Sequence, residues 1–301
     1  MQVITQGLII KEQTVGESDR LVTVLTQDEG VVRAFARRAK NLKDSKNAGT
    51  GLLCYSRLKL SKGKETYNIN EAFPLEVFFN LRRDVTALAL AQYFCQLAAE
   101  LVPEGVESAV FLRLVLNALH FLCKGTRPQP VLKAIVELRM LSEAGYMPNL
   151  AYCAHCGAYE AEKMYFKVNR GELYCGDCYI DNGDPSCLLS PGALTAMRHI
   201  VFSDFEKIFS FAVTPRAQQE LSAAAEAYTL HILQRRPKTL DFYLQFVLSR
   251  VKELTLHKSR DPSPDIAEFF SGVKSKTTLH SFKTKDGVFE EQIRWTNIQK
   301  P

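Results

Sequence analysis

Residues 153–178 read CAHCGAYEAEKMYFKVNRGELYCGDC, in which two Cys-x-x-Cys pairs are separated by eighteen residues. Each pair can direct two thiolates to one point, and two facing pairs supply the tetrahedral sulfur set that zinc prefers. The spacing lies within the roughly 15–20 residues typical of zinc ribbons. We predict a structural zinc ion, because four protein ligands leave no open position for water, and a small hairpin about residues 169–171. The predicted ligands are Cys153, Cys156, Cys175 and Cys178.

The cysteine content and the N-terminal sequence indicate the cellular compartment in which the protein is expected to act. The sequence has eight cysteines, and in a reducing compartment they are not expected to form disulfides. A redox pair or four unrelated thiols is the alternative to the metal site. The complete set of four cysteines favours a solvated His155 over a His155 that replaces one thiolate, and Cys187 is expected to be a spectator. No export signal begins the chain and no apolar run approaches the roughly 18 residues that cross a bilayer, so we predict a cytoplasmic protein with no membrane partner.

Helical periodicity surrounds the cysteine segment on both sides. Before it, apolar residues recur at intervals of three and four, and Ser108 is positioned to cap the second of three predicted helices. After it, Ser190-Pro191 and Thr214-Pro215 each place a capping hydroxyl before a proline suited to the first helical position. We therefore predict an α-helical domain over residues 81–257, with the zinc ribbon inserted at residues 151–187.

Residues 1–80 have a different pattern, which is typical of β structure. Five short runs of apolar and β-branched residues are separated by turn signals such as Gly16 and Asp28-Glu29-Gly30. Five strands in so short a stretch suit a small closed barrel, because closure removes exposed strand edges. The predicted fold is therefore α+β and multidomain, with an N-terminal OB-fold β-barrel followed by the helical domain. An SH3-like barrel is the alternative.

The C-terminal tail, residues 258–301, continues neither pattern. Asp261-Pro262-Ser263-Pro264 is typical of a linker, and residues 279–295 could form one hairpin. The sequence assigns this tail no role.

The third predicted strand carries the second set of candidate site residues. Alternation places Arg33, Phe35 and Arg37 on one face and small apolar residues on the other. Cations for phosphates and a ring for base stacking are what single-stranded nucleic acids require. Cations in the loops after the third and fourth strands extend the set, and the alternative is a solvated charged edge. The predicted nucleic-acid-binding residues are Arg33, Phe35, Arg37, Arg38, Lys40, Lys43, Lys62 and Lys64.

Overall charge and missing motifs narrow the functional class. Lys and Arg exceed Asp and Glu by 38 to 33, which is compatible with a polyanionic partner. A second basic group could contact nucleic acid or a partner, or could simply be solvated. It consists of Arg235, Arg236 and Lys238 before the last predicted helix and of Arg250, Lys252, His257, Lys258 and Arg260 along the end of that helix. The sequence contains no P-loop, no nucleophile elbow, no dinucleotide-binding turn and no acidic cluster typical of a two-metal nuclease. A binding protein is therefore favoured over an enzyme.

Several stretches resemble the bacterial RecO family of recombination-repair proteins. The resemblance covers about residues 1–257 and matches Arg37, Arg38 and Lys40 to the basic segment of the family. The four cysteines match its metal site, whereas residues 43–50 depart from the family pattern. The stretches are GLII at residues 7–10, GESDR at residues 16–20, FARRAK at residues 35–40, LRRD at residues 81–84 and the two cysteine pairs.

This resemblance implies a function and a set of partners. Members of the family bind single- and double-stranded DNA, anneal complementary strands and, with RecR, load RecA onto strands coated by single-strand binding protein. We therefore expect a mediator of DNA repair and homologous recombination that contains structural Zn²⁺ and acts in the bacterial cytoplasm, at the nucleoid during repair. A zinc-ribbon RNA-binding factor and a zinc-stabilised protein-interaction scaffold are the alternatives, and a nuclease on an OB scaffold ranks third.

Overall fold

Five strands close into a barrel in the N-terminal part of the chain. The computed structural model describes residues 2–41, 43–64 and 66–258, so the predicted tail with its linker and hairpin lies outside the described residues. The barrel order is β1-β2-β3-β5-β4, and every pairing is antiparallel except β3 with β5. This closed arrangement confirms the predicted five-stranded OB-type barrel. The strands are β1 (Gln2–Val15), β2 (Asp19–Thr26), β3 (Val31–Ala36), β4 (Cys54–Lys62) and β5 (Tyr67–Val77).

Alternating burial along the strands gives the barrel its own core. In β3, Val32, Ala34 and Ala36 point inward and are buried, as the period-2 pattern predicts. Side chains such as Ile9 and Leu58 complete this core from the other strands. A short helix, α1 (Lys46–Gly49), follows β3 and packs against β5.

Within the residues that the structure describes, six longer helices form the second part of the protein. Asp84 caps α2 by accepting hydrogen bonds from the N–H groups of Thr86 and Ala87. Ser190 and Thr214 cap α5 and α6 before their prolines, which confirms both predicted caps. The helices are α2 (Val85–Leu101), α3 (Ala109–Lys124), α4 (Gln129–Glu143), α5 (Pro191–Phe202), α6 (Pro215–Leu233) and α7 (Lys238–Lys258). Among the described residues, no helix combines the length and apolar character needed to cross a membrane.

A small four-stranded sheet, the zinc ribbon of the prediction, lies between α4 and α5. Its order is β6-β8-β7-β9, and the antiparallel pair β7 and β8 is the predicted hairpin. Arg198, buried on α5, anchors the sheet by donating hydrogen bonds to the carbonyl oxygens of Leu150, Ala151 and Tyr159. The ribbon is thus fastened to the helical core by a side chain that follows it in sequence. The strands are β6 (Asn149–Cys153), β7 (Met164–Lys167), β8 (Glu172–Cys175) and β9 (Ser186–Leu189).

The turn between β2 and β3 is hydrogen-bonded to the connection between α2 and α3. Gly105 N–H donates to Glu29 O, and Ser108 N–H donates to Gln27 O. The hydroxyl of Ser108 donates to Thr26 O at 2.6 Å, and it makes no capping bond to its own helix. The prediction that this side chain caps α3 is therefore wrong, because a backbone carbonyl of the barrel takes its hydrogen bond.

Apolar packing joins the same two parts of the protein. Leu8, Leu25 and Phe78 point outward from the barrel into the core that contains the helices, and Val31 packs against that core. Gly30 makes an isolated bridge to Glu104 at the junction. One side of the outer surface of the barrel is therefore buried against the helical core.

Replacing Gly30 tests how closely the two parts fit. Gly30 has φ +68°, and an added Cβ would lie 1.9 Å from the carbonyl oxygen of Pro103. Gly16 is the matched control, since it has φ +59° but nothing within 4 Å of an added Cβ. We expect Gly30→Ala to lower the free energy of unfolding by about 1–3 kcal/mol more than Gly16→Ala, measured by urea denaturation. Equal losses would mean that backbone strain alone acts at both positions.

A buried ionic network connects α2, α4 and α6. Lys133 Nζ lies 2.9 Å from Glu137 Oε1 and 3.0 Å from Glu226 Oε2, and the Tyr93 hydroxyl donates to Glu137 Oε1 at 2.7 Å. Burial raises the pKa of Glu137 to about 7, although Lys133 acts in the opposite direction. Burial lowers the pKa of Lys133, but the two carboxylates outweigh it and the pKa is raised overall. The helical core therefore contains a carboxyl group that titrates near neutral pH.

Glu137 gives the folded protein a measurable pH dependence. Its folded pKa of about 7 lies above the value of 4.5 of a free glutamate, so its contribution to stability is complete below pH 4.5 and is lost as the pH rises through 7. Between pH 5.5 and pH 8, we expect the free energy of unfolding of the wild type to fall by about 2 kcal/mol relative to Glu137→Gln. Glu143→Gln, on the same helix but solvent-accessible, is the control. A wild-type-to-Glu137→Gln difference that stays constant with pH would contradict this prediction.

Candidate nucleic-acid interface and metal centre

The outer face of β3 changes from buried to exposed along its length. Val31 packs against the helical core, whereas Arg33 is exposed and Phe35 is half-buried. Arg37, immediately after the strand, is exposed. The structure therefore brings the three predicted residues of this strand onto one accessible face, with the ring between two guanidinium groups in sequence.

Neighbouring strands widen this face with residues that the sequence analysis did not select. Lys11 of β1 and Thr23 of β2 lie in register beside Arg33. Leu21 of β2 lies beside Phe35. Lys11 is exposed and adds a cation to the row, while Leu21 extends the apolar surface around the ring. The face therefore spans three strands.

The basic segment, which we define as Arg37, Arg38, Lys40 and Lys43, is exposed and follows the end of β3. Its backbone is held by the turn between β1 and β2. The N–H of Arg38 donates to Asp19 Oδ1 at 2.8 Å, and the N–H of Lys40 donates to Ser18 O at 3.0 Å. The bond from Arg38 N–H lowers the pKa of Asp19, and Ser18 and the guanidinium groups of Arg37 and Arg38 lower it further.

The other two predicted cations come from the end of β4 and from the β4–β5 turn. Lys62, the last residue of β4, pairs with Tyr67, and its Nζ lies 5.7 Å from the centre of that ring. Tyr67 pairs in turn with Ala34 of β3, so Lys62 is level with the middle of that strand and is separated from it by β5. Lys64, in the β4–β5 turn, is exposed. Cations thus lie after the end of β3 and beyond the neighbouring strand β5.

Among the described residues, the predicted cations of the barrel form no ion pair, although Arg37 and Arg38 are near enough to Asp19 to lower its pKa. Within residues 2–41, 43–64 and 66–249, no ion pair involves any of the seven cations or Lys11. Arg20, in contrast, has an acidic partner, since Glu12 binds its guanidinium at 2.9 Å. The same guanidinium also donates hydrogen bonds to residues in and just after α1. Charge on the face around β3 is therefore free to meet phosphate.

Two arginines of the second basic group have acidic partners. Arg235 pairs with Glu100 at 2.9 Å, and Arg236 binds both Asp241 and Glu226. Lys238 is exposed. These pairs reduce the charge that the two arginines could offer to a nucleic acid. The side chains of Arg250, Lys252, His257, Lys258 and Arg260 lie outside the part of the chain that is described.

The four predicted metal ligands converge at the ribbon. The sulfur atoms of Cys153, Cys156, Cys175 and Cys178 all lie within 4.8 Å of one another, and Cys156 Sγ is 3.6 Å from Cys175 Sγ. Four sulfurs at about 2.3 Å from a zinc ion would be about 3.8 Å apart. The cluster could therefore hold a metal ion, and its donor set is consistent with zinc. His155 is exposed and lies outside the cluster.

Hydrogen bonds prepare one thiol of the cluster for ionisation. Burial raises the pKa of Cys153, but backbone N–H groups of Cys156, Cys175 and His155 lower it to about 6. A hydrogen bond with the Cys175 side chain, together with burial, raises the pKa of Cys178 to about 12. A divalent cation bound at the centre would supply the charge that allows all four thiols to ionise. Cys187 lies on β9 and does not belong to the cluster.

Metal analysis of two variants tests this centre. We expect the purified protein to contain one zinc ion per chain and the Cys153→Ser, Cys175→Ser double variant to contain none, because two of four ligands are lost. Cys187→Ala is the control and should retain the metal. The measurement is elemental analysis after dialysis, followed by thermal unfolding with and without a chelator. Metal bound by the double variant, or absent from the wild type, would contradict the assignment.

Comparison with known proteins agrees with this geometry. The sequence matches the family described as Recombination protein O N terminal over residues 1–78 and Recombination protein O C terminal over residues 82–241. The DNA repair protein RecO of Acetivibrio thermocellus is 33% identical over 248 residues, which cover 82% of this chain and 98% of that protein. The proteins of the same name from Symbiobacterium thermophilum and Dehalococcoides mccartyi are 31% and 29% identical, over 78% of this chain and 94% and 92% of theirs. This chain therefore belongs to the RecO family.

Proposed function

We propose that this protein acts in DNA repair and recombination by binding single strands along β3 of its barrel. The observation that carries the proposal is the face around Phe35, where exposed cations of β1, of β3 and of the basic segment lie near one accessible ring. Cations bind phosphates in any sequence, and a ring stacks on any base. The family of the chain supports DNA as the polymer.

Annealing of complementary strands is the activity that this face would support. Two DNA strands repel each other, and neutralisation of phosphates lowers that repulsion and releases counterions. Stacking on Phe35 leaves the hydrogen-bonding edges of a base accessible, since the ring occupies only its face. Such a step needs no nucleotide hydrolysis. The proposed mechanism is therefore electrostatic screening with bases kept available for pairing.

Membership of the family extends the proposal to partners and to double-stranded DNA. We propose that the protein works with RecR to help RecA assemble on strands coated by single-strand binding protein, in the bacterial cytoplasm and at the nucleoid during repair. The support for this extension is the shared family alone. Zinc is the proposed metal of the four-cysteine cluster, where its part would be to stiffen the ribbon.

Charge disfavours the ribbon as the main nucleic-acid site. Residues 149–189 include six acidic and three basic residues. One of the three, Lys167, is buried and donates hydrogen bonds to Ile180 O and Asn182 Oδ1. An anionic module repels phosphate, which weighs against the zinc-ribbon RNA-binding alternative. We therefore assign the nucleic acid to the barrel.

Charge reversal in the basic segment tests the proposal. For Arg37→Glu, Arg38→Glu, Lys40→Glu, we expect weaker binding to every single strand regardless of sequence, because phosphate contacts carry no sequence information. The slope of log K against log salt should become shallower by about 2, since roughly 0.7 counterions are released per phosphate contact on a single strand. Fluorescence anisotropy at several salt concentrations measures both effects. ATP-free annealing of complementary oligonucleotides, followed by loss of a quenched fluorophore, should slow in parallel.

A matched charge reversal outside the barrel completes the test. Lys124→Glu, Lys163→Glu, Lys238→Glu changes the net charge equally at three exposed positions and should leave most of the salt slope and the annealing rate in place. An unchanged slope in the basic-segment variant would reject this site. Tight RNA binding without DNA annealing would favour the RNA-binding alternative, and failure to bind any nucleic acid at low salt would favour the protein scaffold.

A further inference from the structure

The GESDR turn at residues 16–20 lies directly beside the basic segment. Ser18 Oγ donates to Asp19 Oδ1 at 3.1 Å, and the same carboxylate oxygen accepts the N–H of Arg38 at 2.8 Å. Ser18 O accepts the N–H of Lys40 at 3.0 Å. The turn between β1 and β2 therefore holds two successive cationic residues of the segment by their backbone rather than by their charged side chains.

Arg38 requires such support because of its backbone conformation. Its φ is +58°, in the left-handed region that residues with a Cβ rarely adopt. A conformation of this kind persists only where surrounding contacts determine it. Asp19 accepts the N–H of this same residue, so the hydrogen bond acts directly on the residue with the strained backbone.

A second set of contacts holds the same stretch of the segment at Ala39, between Arg38 and Lys40. Asn47 Nδ2 donates to Ala39 O at 2.8 Å, and Arg20 Nη1 donates to Asn47 O at 2.8 Å. Glu12 in turn binds Arg20 Nε at 2.9 Å. The backbone that carries the cations is thus ordered from both sides, while their side chains remain exposed.

We infer that Asp19 is a positioning residue for nucleic-acid binding, which orders the basic segment through the backbone of Arg38 and leaves its cations free for phosphates. The inference rests on the proposed function. For the removal of Asp19, this inference predicts a change in nucleic-acid affinity opposite to the one that simple electrostatics predicts. Removal of an acidic group beside a phosphate site should strengthen binding, whereas loss of a positioning group should weaken it.

Two variants of neighbouring acids separate these effects. Asp19→Ala should bind a single-stranded oligonucleotide about tenfold more weakly, because the segment must then be ordered on binding. Asp19→Asn should recover most of the affinity, since its amide oxygen can accept the same N–H. Glu17→Ala is the control, because Glu17 is exposed in the same turn and, among the described residues, makes no side-chain bond. It should bind as well as the wild type or slightly more tightly.

A double-mutant cycle and amide exchange provide independent readouts. Glycine adopts a positive φ without strain, so in an Arg38→Gly background the further change Asp19→Ala should weaken binding less than about twofold. Hydrogen exchange at the amide of residue 38, measured by NMR without DNA, should accelerate in Asp19→Ala and not in Glu17→Ala.

Each outcome distinguishes this inference from the proposed function. If Asp19→Ala binds as tightly as Glu17→Ala while the basic-segment charge reversal still weakens binding, the inference is wrong and the proposed function stands. If Asp19→Ala weakened binding equally in the wild-type and Arg38→Gly backgrounds, the inference would also be wrong. If the wild type binds no single strand, the proposed function fails and the inference falls with it.

Discussion

Packing between one side of the barrel and the helical core determines how the rest of the protein is arranged. Leu8 and Leu25 point outward from the barrel, yet they belong to the same apolar cluster as the helices. Burial of such side chains contributes roughly 1.5–3 kcal/mol each when it is complete. The hydrogen bonds between the β2–β3 turn and the connection before α3 fix the alignment at this contact. The face around β3 is part of the outer surface that this contact leaves uncovered, and there the chain carries cations.

The sequence predicts the faces of a strand correctly only where the strand is regular. Period-2 alternation correctly separates Val32, Ala34 and Ala36 from Arg33 and Phe35, because β3 is short and regular. The same rule fails for Lys11. Register shifts between Ile9 and Lys11, so a residue that strict alternation would turn inward lies beside Arg33 instead. A bulge of this kind depends on pairing with β2 and leaves no local sequence signal.

Interactions between residues distant in sequence account for the other differences. The Ser108 side chain bonds to the barrel, and Arg235 pairs with Glu100 from another helix. Neither partner can be identified from local periodicity. The spacing of Lys133 and Glu137 in the sequence is typical of a solvated pair on one face of a helix. In the structure, packing of α2 and α6 against α4 buries both side chains. The four cysteines, in contrast, are close in sequence and joined by one hairpin, so their spacing alone predicted the cluster.

The way β3 meets the helical part also affects how a polymer could lie on the protein. At Val31 the outer face of the strand runs into the apolar core, and Gly30 closes that end against the backbone of Pro103. The face around β3 therefore ends against the helical core at Val31 and is open beyond Arg37. A nucleic-acid strand that followed β3 could continue past Arg37, whereas at Val31 it would meet the helical core and would have to turn aside.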